Sequence, residues 1–182
     1  FLLFGQLTRD YIVFPSGDAL LDVPGGNVLY TAVGLAVWEP DPAPAMIARV
    51  GEDYPQEWLD RFAQRGLDTR GGRVLPQALD VRSFAAFLGK TARANDDPVA
   101  HFARLGLPFP KALLGYRGPA TNTGGGAVAD SRTQLSVASL RQNDIPAEFM
   151  DASIAHFCPL DYLTHSLLPA VLRQKQFTTV TL

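Results

Sequence analysis

The chain alternates short, almost wholly apolar runs with longer segments of helical character. Phe1-Leu2-Leu3-Phe4 is apolar throughout and ends at Gly5, and Ala45-Met46-Ile47-Ala48-Arg49-Val50 ends at Gly51. Ile154-Ala155-His156-Phe157-Cys158 and the β-branched Thr178-Thr179-Val180-Thr181-Leu182 read the same way. Phe1–Phe4 predicts a buried parallel strand, and the other runs predict further strands, the last with an uncovered edge. Asn27 to Trp38 is helix-length and apolar on every side, which predicts a helix packed inside a layered domain. Glu39-Pro40-Asp41-Pro42-Ala43-Pro44 stops it. From Pro55 to Arg65, Trp58, Leu59 and Phe62 share one face and Glu57, Asp60, Arg61 and Gln64 the other, with Gly66 as the cap. Ser166 to Gln174 predicts a further helix. Strands alternating with helices imply an α/β domain with a mostly parallel sheet and crossover helices.

Two stretches interrupt this rhythm. Tyr11-Ile12-Val13-Phe14 and Ala19-Leu20-Leu21-Asp22-Val23, joined by the Pro15-Ser16-Gly17-Asp18 turn, predict a hairpin between the first strand and its helix. Arg73–Leu75, Val81–Leu88 and Val99–Arg104 are strand candidates with no helix between them, which predicts an antiparallel patch alongside that hairpin. Leu105 to Ser139 reads as a loop-rich insertion containing Gly124-Gly125-Gly126. That glycine run has no strand before it and no Lys-Ser/Thr after it, as a phosphate loop would need.

At 182 residues the chain is long enough for one sizeable core. A net charge of −2 gives no basic surface for nucleic acid or membrane. The single cysteine, Cys158, excludes an internal disulfide framework and reads as a buried small hydrophobe in a protein of a reducing, cytoplasmic compartment. The apolar runs are too short to span a bilayer. Both ends fall within strand patterns, so the sequence reads as part of a longer protein.

Candidate chemistry gathers at two places. Pro24-Gly25-Gly26-Asn27 opens the apolar helix, and a glycine turn there lets a ligand approach bare backbone N–H groups. Asp10 lies just past the carboxyl end of the first strand, where open α/β sheets bind ligands, and a carboxylate can accept from neighbouring hydroxyls of a polyol. Arg82 and His101 fall in the expected antiparallel patch. The three histidines and one cysteine lack zinc-site spacing, and no Gly-x-Ser-x-Gly elbow is present.

The ordered set resembles the amino-terminal part of a PfkB-type (ribokinase-like) carbohydrate kinase. It comprises Gly5 and Asp10; Pro24-Gly25-Gly26-Asn27; Ile47-Ala48-Arg49-Val50-Gly51-Glu52-Asp53; Gly66-Leu67-Asp68-Thr69; and Val81-Arg82-Ser83-Phe84. The resemblance implies a three-layer sandwich with a mostly parallel central sheet and a small β lid, the lid elements being residues 11–23 and 81–104. It implies transfer of a phosphoryl group from ATP, with Mg²⁺, to a hydroxyl of a sugar, small polyol or nucleoside. Asp10 would bond the substrate hydroxyls, and Gly25, Gly26 and Asn27 would line the same substrate. Tyr30 stands where many members carry a substrate-facing Asn. Arg82, from its place in the expected antiparallel patch and not through the resemblance, is a further candidate substrate contact. Lid strands in this family often mediate homodimers.

The family's second signature, a Gly-x-Gly-Asp turn that carries the catalytic base and anion hole, is absent from these residues. No catalytic residue is therefore assigned, and the base is expected beyond Leu182. The alternative function is a non-catalytic sugar- or nucleoside-binding protein of the same fold. A Rossmann dinucleotide enzyme would draw on the diglycine and Glu52 or Asp53, but the three-glycine spacing is missing.

Overall fold

A computed structural model of the chain describes residues 1–118, 131–173 and 178–181. It divides into two units: Phe1–Leu7, Gly26–Asp80 and Ala129–Leu182 form one, Thr8–Gly25 and Val81–Val128 the other.

The first unit is built on a five-stranded sheet of β1 (Leu2–Phe4), β4 (Ala45–Gly51), β5 (Gly72–Leu75), β8 (Ile154–Phe157) and β9 (Thr179–Thr181), in the order β5-β4-β1-β8-β9. Every pairing in it is parallel. Leu2 and Phe4, Ala45 and Ile47, and Ala155 and Phe157 share one face, where they pack with Leu168 and Leu172 of α4 (Tyr162–Arg173) and with Leu140, Ile145 and Phe149. The Phe4 and Phe157 rings stack at 4.4 Å. Strand alternation sends Leu3, Gly5, Met46 and Ala48 to the opposite face. There α1 (Asn27–Trp38) packs so closely that a Cβ at Gly5 would meet the Val28 side chain at 2.8 Å. Buried Trp58, Leu59 and Phe62 form the inner face of α2 (Gln56–Gln64).

The second unit is a four-stranded sheet of β2 (Thr8–Val13), β3 (Ala19–Gly25), β6 (Arg82–Phe87) and β7 (Arg93–Ala94), ordered β3-β2-β6-β7. β2 runs antiparallel to β3 and parallel to β6. Tyr11, Val13, Phe84 and Ala86 pack with Phe102 of α3 (Pro98–Arg104) and with Leu113. Residues 11–23 and 81–104, expected as lid elements, lie in this unit.

Several local expectations are corrected. Val99–Arg104 is helix, not strand: Asp97 accepts from the Ala100 N–H as an N-cap and Pro98 occupies the first turn. The 73–75 strand belongs to the main sheet, paired parallel with β4 rather than in an antiparallel patch. α4 begins a turn before Ser166, because the Asp161 carboxylate accepts from the Thr164 N–H and hydroxyl. α1 has the expected bounds but buries only Val28, Leu29 and Ala32, so it is not enclosed within its unit. In the 105–139 stretch, the described residues hold a 3-10 turn at Lys111–Leu113, while Gly124-Gly125-Gly126 lies outside the described residues. Among the described residues, no helix is long and apolar enough to cross a membrane.

Candidate functional site

Asp10 is not at a strand tip. It sits inside β2, opposite Val23 of β3 and Ser83 of β6, and is 8% exposed. A buried acid in a strand interior needs fixed partners. The Thr8 hydroxyl donates to its Oδ1 at 2.6 Å and sets the rotamer. Gly25 closes β3 opposite Thr8, and the Asp10 carboxylate lies against its Cα. A Cβ at Gly25 would occupy the space of the carboxylate Oδ2. The absence of a side chain at residue 25 is therefore what lets acid and backbone meet. The strand ends there and not in a two-glycine turn, which refines the expected geometry.

Gly26 answers to a different demand. Its φ is +108°, and a Cβ would strike the Gln6 carbonyl oxygen. Gly26 is the N-cap of α1 and supplies no side-chain cap. Asn27, the first residue of that helix, ties three chain segments together. Its Oδ1 accepts from the Gln6 N–H at 2.7 Å, and its Nδ2 donates to the Pro159 carbonyl at 2.7 Å. Both ends of the amide thus clamp the turns after β1 and β8 within the first unit. Tyr30, one turn along α1, is 59% exposed.

Arg82 opens β6 and serves its own unit. Its Nη1 donates to the carbonyls of Ala112 and Leu114, and its guanidinium lies 5.8 Å from the Tyr116 ring centroid. His101 lies on α3, its ring 5.9 Å from Phe84. His156, on β8, shares a 2.8 Å hydrogen bond with Thr181. Asp53 accepts from the Leu79 N–H in the turn after β4.

A feature not anticipated from sequence flanks Asp10. Arg9 makes a two-pronged ion pair with Asp22, at 2.8 Å and 2.7 Å. Asp22 adopts a left-handed φ of 55°. Hydrogen bonding from Arg9 holds the Asp22 carboxyl below the usual range. Burial pushes the Tyr11 hydroxyl up, and the Asp22 charge adds to that through space. The alternating charges at residues 9 and 22 were visible in the sequence, but their pairing requires the hairpin register.

Among the described residues, no group of three or more His, Cys, Asp or Glu stands where a metal ion could be held. No step is assigned to a metal at the described residues.

No family model and no curated protein matches the chain. Solved structures do match. A fructokinase with bound ATP from Xylella fastidiosa aligns at TM-score 0.58 and 21% identity, over 98% of this chain and 49% of that one. An uncharacterized sugar kinase from Pyrococcus horikoshii aligns at TM-score 0.60 and 18% identity, over 99% and 50%. A ribokinase from Giardia lamblia aligns at TM-score 0.52 and 10% identity, over 99% and 49%. The fold is therefore ribokinase-like α/β, and the chain spans about half the length of these sugar kinases.

Proposed function

We propose that this chain is the substrate-gripping portion of an ATP-dependent carbohydrate kinase. The observation that carries the proposal is the Asp10 carboxylate held by Thr8 against the bare backbone of Gly25. A carboxylate has room for about four hydrogen bonds, so it can serve Thr8 and two neighbouring hydroxyls of a polyol at once. The side-chain-free backbone beside it allows a sugar ring to come close. The solved proteins that share the fold are sugar kinases by name, which supports this chemistry over other uses of an acid beside a glycine.

In this reading Asp10 and Gly25 orient the acceptor hydroxyl. ATP supplies the phosphoryl group as co-substrate. Phosphoryl transfer also needs a base for the hydroxyl and groups that stabilise the developing charge. We assign those to polypeptide outside these residues, together with any Mg²⁺ that accompanies ATP. Arg82 and Asn27 enter as positioning residues, since each spends its side chain on backbone carbonyls or N–H groups of its own unit. Leu20 and Leu21 on the edge strand β3 are exposed, and we assign this edge to pairing with a second copy.

The test is ATP consumption by the full-length protein across a panel of sugars and nucleosides, with Asp10→Asn beside it. Two lost charge-assisted hydrogen bonds at about 1.5–3 kcal/mol each predict a fall in kcat/KM of about 100- to 10,000-fold. Sugar binding by calorimetry without sugar-dependent turnover would favour the non-catalytic binder. Neither binding nor turnover with any candidate would defeat both readings.

A further inference from the structure

Strand alternation sorts the sheet of the second unit into two faces. Tyr11, Val13, Phe84 and Ala86 point into the cluster closed by Phe102 and Leu113. Thr8, Asp10 and Ile12 of β2 fall on the other face, with Ser83 in register beside Asp10 and Ala85 beside Ile12. Phe14, one residue past β2, and Phe87 continue that face, their rings stacked at 5.7 Å. Ile12, Phe14, Ala85 and Phe87 are only half-buried.

Polarity on this second face is graded. Thr8, Asp10 and Ser83 hold the end next to Gly25. Ile12 and Ala85 come next, then the Phe14–Phe87 pair, and β2 and β6 offer no polar side chain there on this face. Successive rows lie two residues apart, about 7 Å along the strand. A single sugar ring anchored on Asp10 covers the first row and stops short of the second. A carboxylate beside an apolar platform asks for a ligand that is polar at one end and apolar at the other.

We propose that the substrate gripped by Asp10 and Gly25 is a glycoside, a hydroxylated ring whose planar apolar substituent lies over Ile12 and Ala85 and ends at the Phe14–Phe87 pair. This deepens the reading of Asp10 as the substrate carboxylate and rests on it. The occupant follows from continuity, since the apolar rows begin where the polar row ends, on the same face. The aromatic pair favours a planar substituent, because rings pack well against the faces and edges of other rings. Aryl glycosides and nucleosides share this chemistry. A free sugar would leave Ile12 and Ala85 without an apolar partner.

The test is calorimetric binding to the full-length protein, with a non-hydrolysable ATP analogue present, of matched ligands: glucose against phenyl glucoside, galactose against phenyl galactoside, and ribose against adenosine and uridine. In at least one set the substituted ligand should bind at least about tenfold more tightly than its free sugar, as burial of a ring's apolar surface requires. The set that shows the gain separates aryl glycosides from nucleosides. Phe87→Ala should lower that ratio about three- to tenfold, and Ile12→Thr, which keeps the β-branched shape, should lower it as well. Equal affinities within every set that binds would overturn this inference and leave the Asp10 reading standing. Failure of every ligand to bind would remove the Asp10 reading and this inference with it. A ratio untouched by both substitutions, or a dimer in sedimentation that Phe87→Ala dissolves, would give the face another role and overturn the inference too.

Discussion

Gly25 and Gly26 look alike in the sequence, yet each answers to a different neighbour. Gly25→Ala would drive a methyl into the Asp10 carboxylate, whereas Gly26→Ala would meet both the Gln6 carbonyl and a positive φ. Asn27 could be singled out from sequence, but its role could not. Asn27→Ala removes hydrogen bonds to the Gln6 N–H and the Pro159 carbonyl. It should cost about 1–3 kcal/mol in urea unfolding, since two hydrogen bonds of about 0.5–1.5 kcal/mol each are lost. Tyr11 gives a pH test. Burial raises its pKa above 10.0, so the fold favours the neutral phenol. That contribution is complete below the unfolded value and is lost as pH rises toward the folded one. Among the described residues, the Tyr11 hydroxyl has no hydrogen-bond partner. Tyr11→Phe should therefore be neutral or slightly stabilising at pH 7 and should flatten the fall in Tm above about pH 10. Asp22 works in the opposite sense: its pKa is lowered, so its share is present above 3.8 and is lost as pH falls through the folded value.

The α1 helix shows how far local pattern reaches at the scale of an element. Glycine before it and proline after it fix both ends, and the structure places it at Asn27–Trp38. Apolarity on every side did not reveal which side its own unit covers. Gly34 sits in its exposed interior with open space around it. Gly34→Ala should therefore raise stability of the 182-residue chain by about 0.5–1 kcal/mol, measured as a shift in the urea midpoint. The segment before β8 is held differently. Asp144 is fully buried and accepts from Arg49 at 2.7 and 2.9 Å, from Arg73 at 2.9 Å and from the Arg141 N–H at 2.7 Å. Asp144→Ala leaves Arg49 buried without its counter-charge and should cost about 3–5 kcal/mol in chemical denaturation. Nothing in the sequence joined residues 49, 73 and 144, because the contact spans β4, β5 and a 3-10 turn.

At the scale of the molecule, each unit closes its own hydrophobic cluster, one around Phe4 and Phe157, the other around Tyr11 and Phe84. The chain leaves the first unit at Thr8 and returns at Gly26, so the two residues of the diglycine belong to different units. That placement explains why residues 10 and 25 meet while Asn27 serves another purpose. If the proposed function holds, Thr8→Val, which removes the hydroxyl holding Asp10, should raise KM for a sugar substrate of the full-length protein about three- to tenfold with little change in Tm.

What the sequence determined alone was whatever depends on near neighbours: the buried parallel strands, the helix between diglycine and proline run, the amphipathic face of α2, and the hairpin at Pro15–Asp18. These follow from side-chain periodicity and from backbone limits on glycine and proline, which act over a few residues. Tertiary structure decided the rest. It placed 72–75 beside β4, turned 98–104 into a helix under Phe84, set Asp10 against Gly25 and left the Val33–Val37 face of α1 exposed. Strand partners and buried charges are chosen by surfaces that meet across long sequence separations, and such surfaces exist only once the chain has closed on itself.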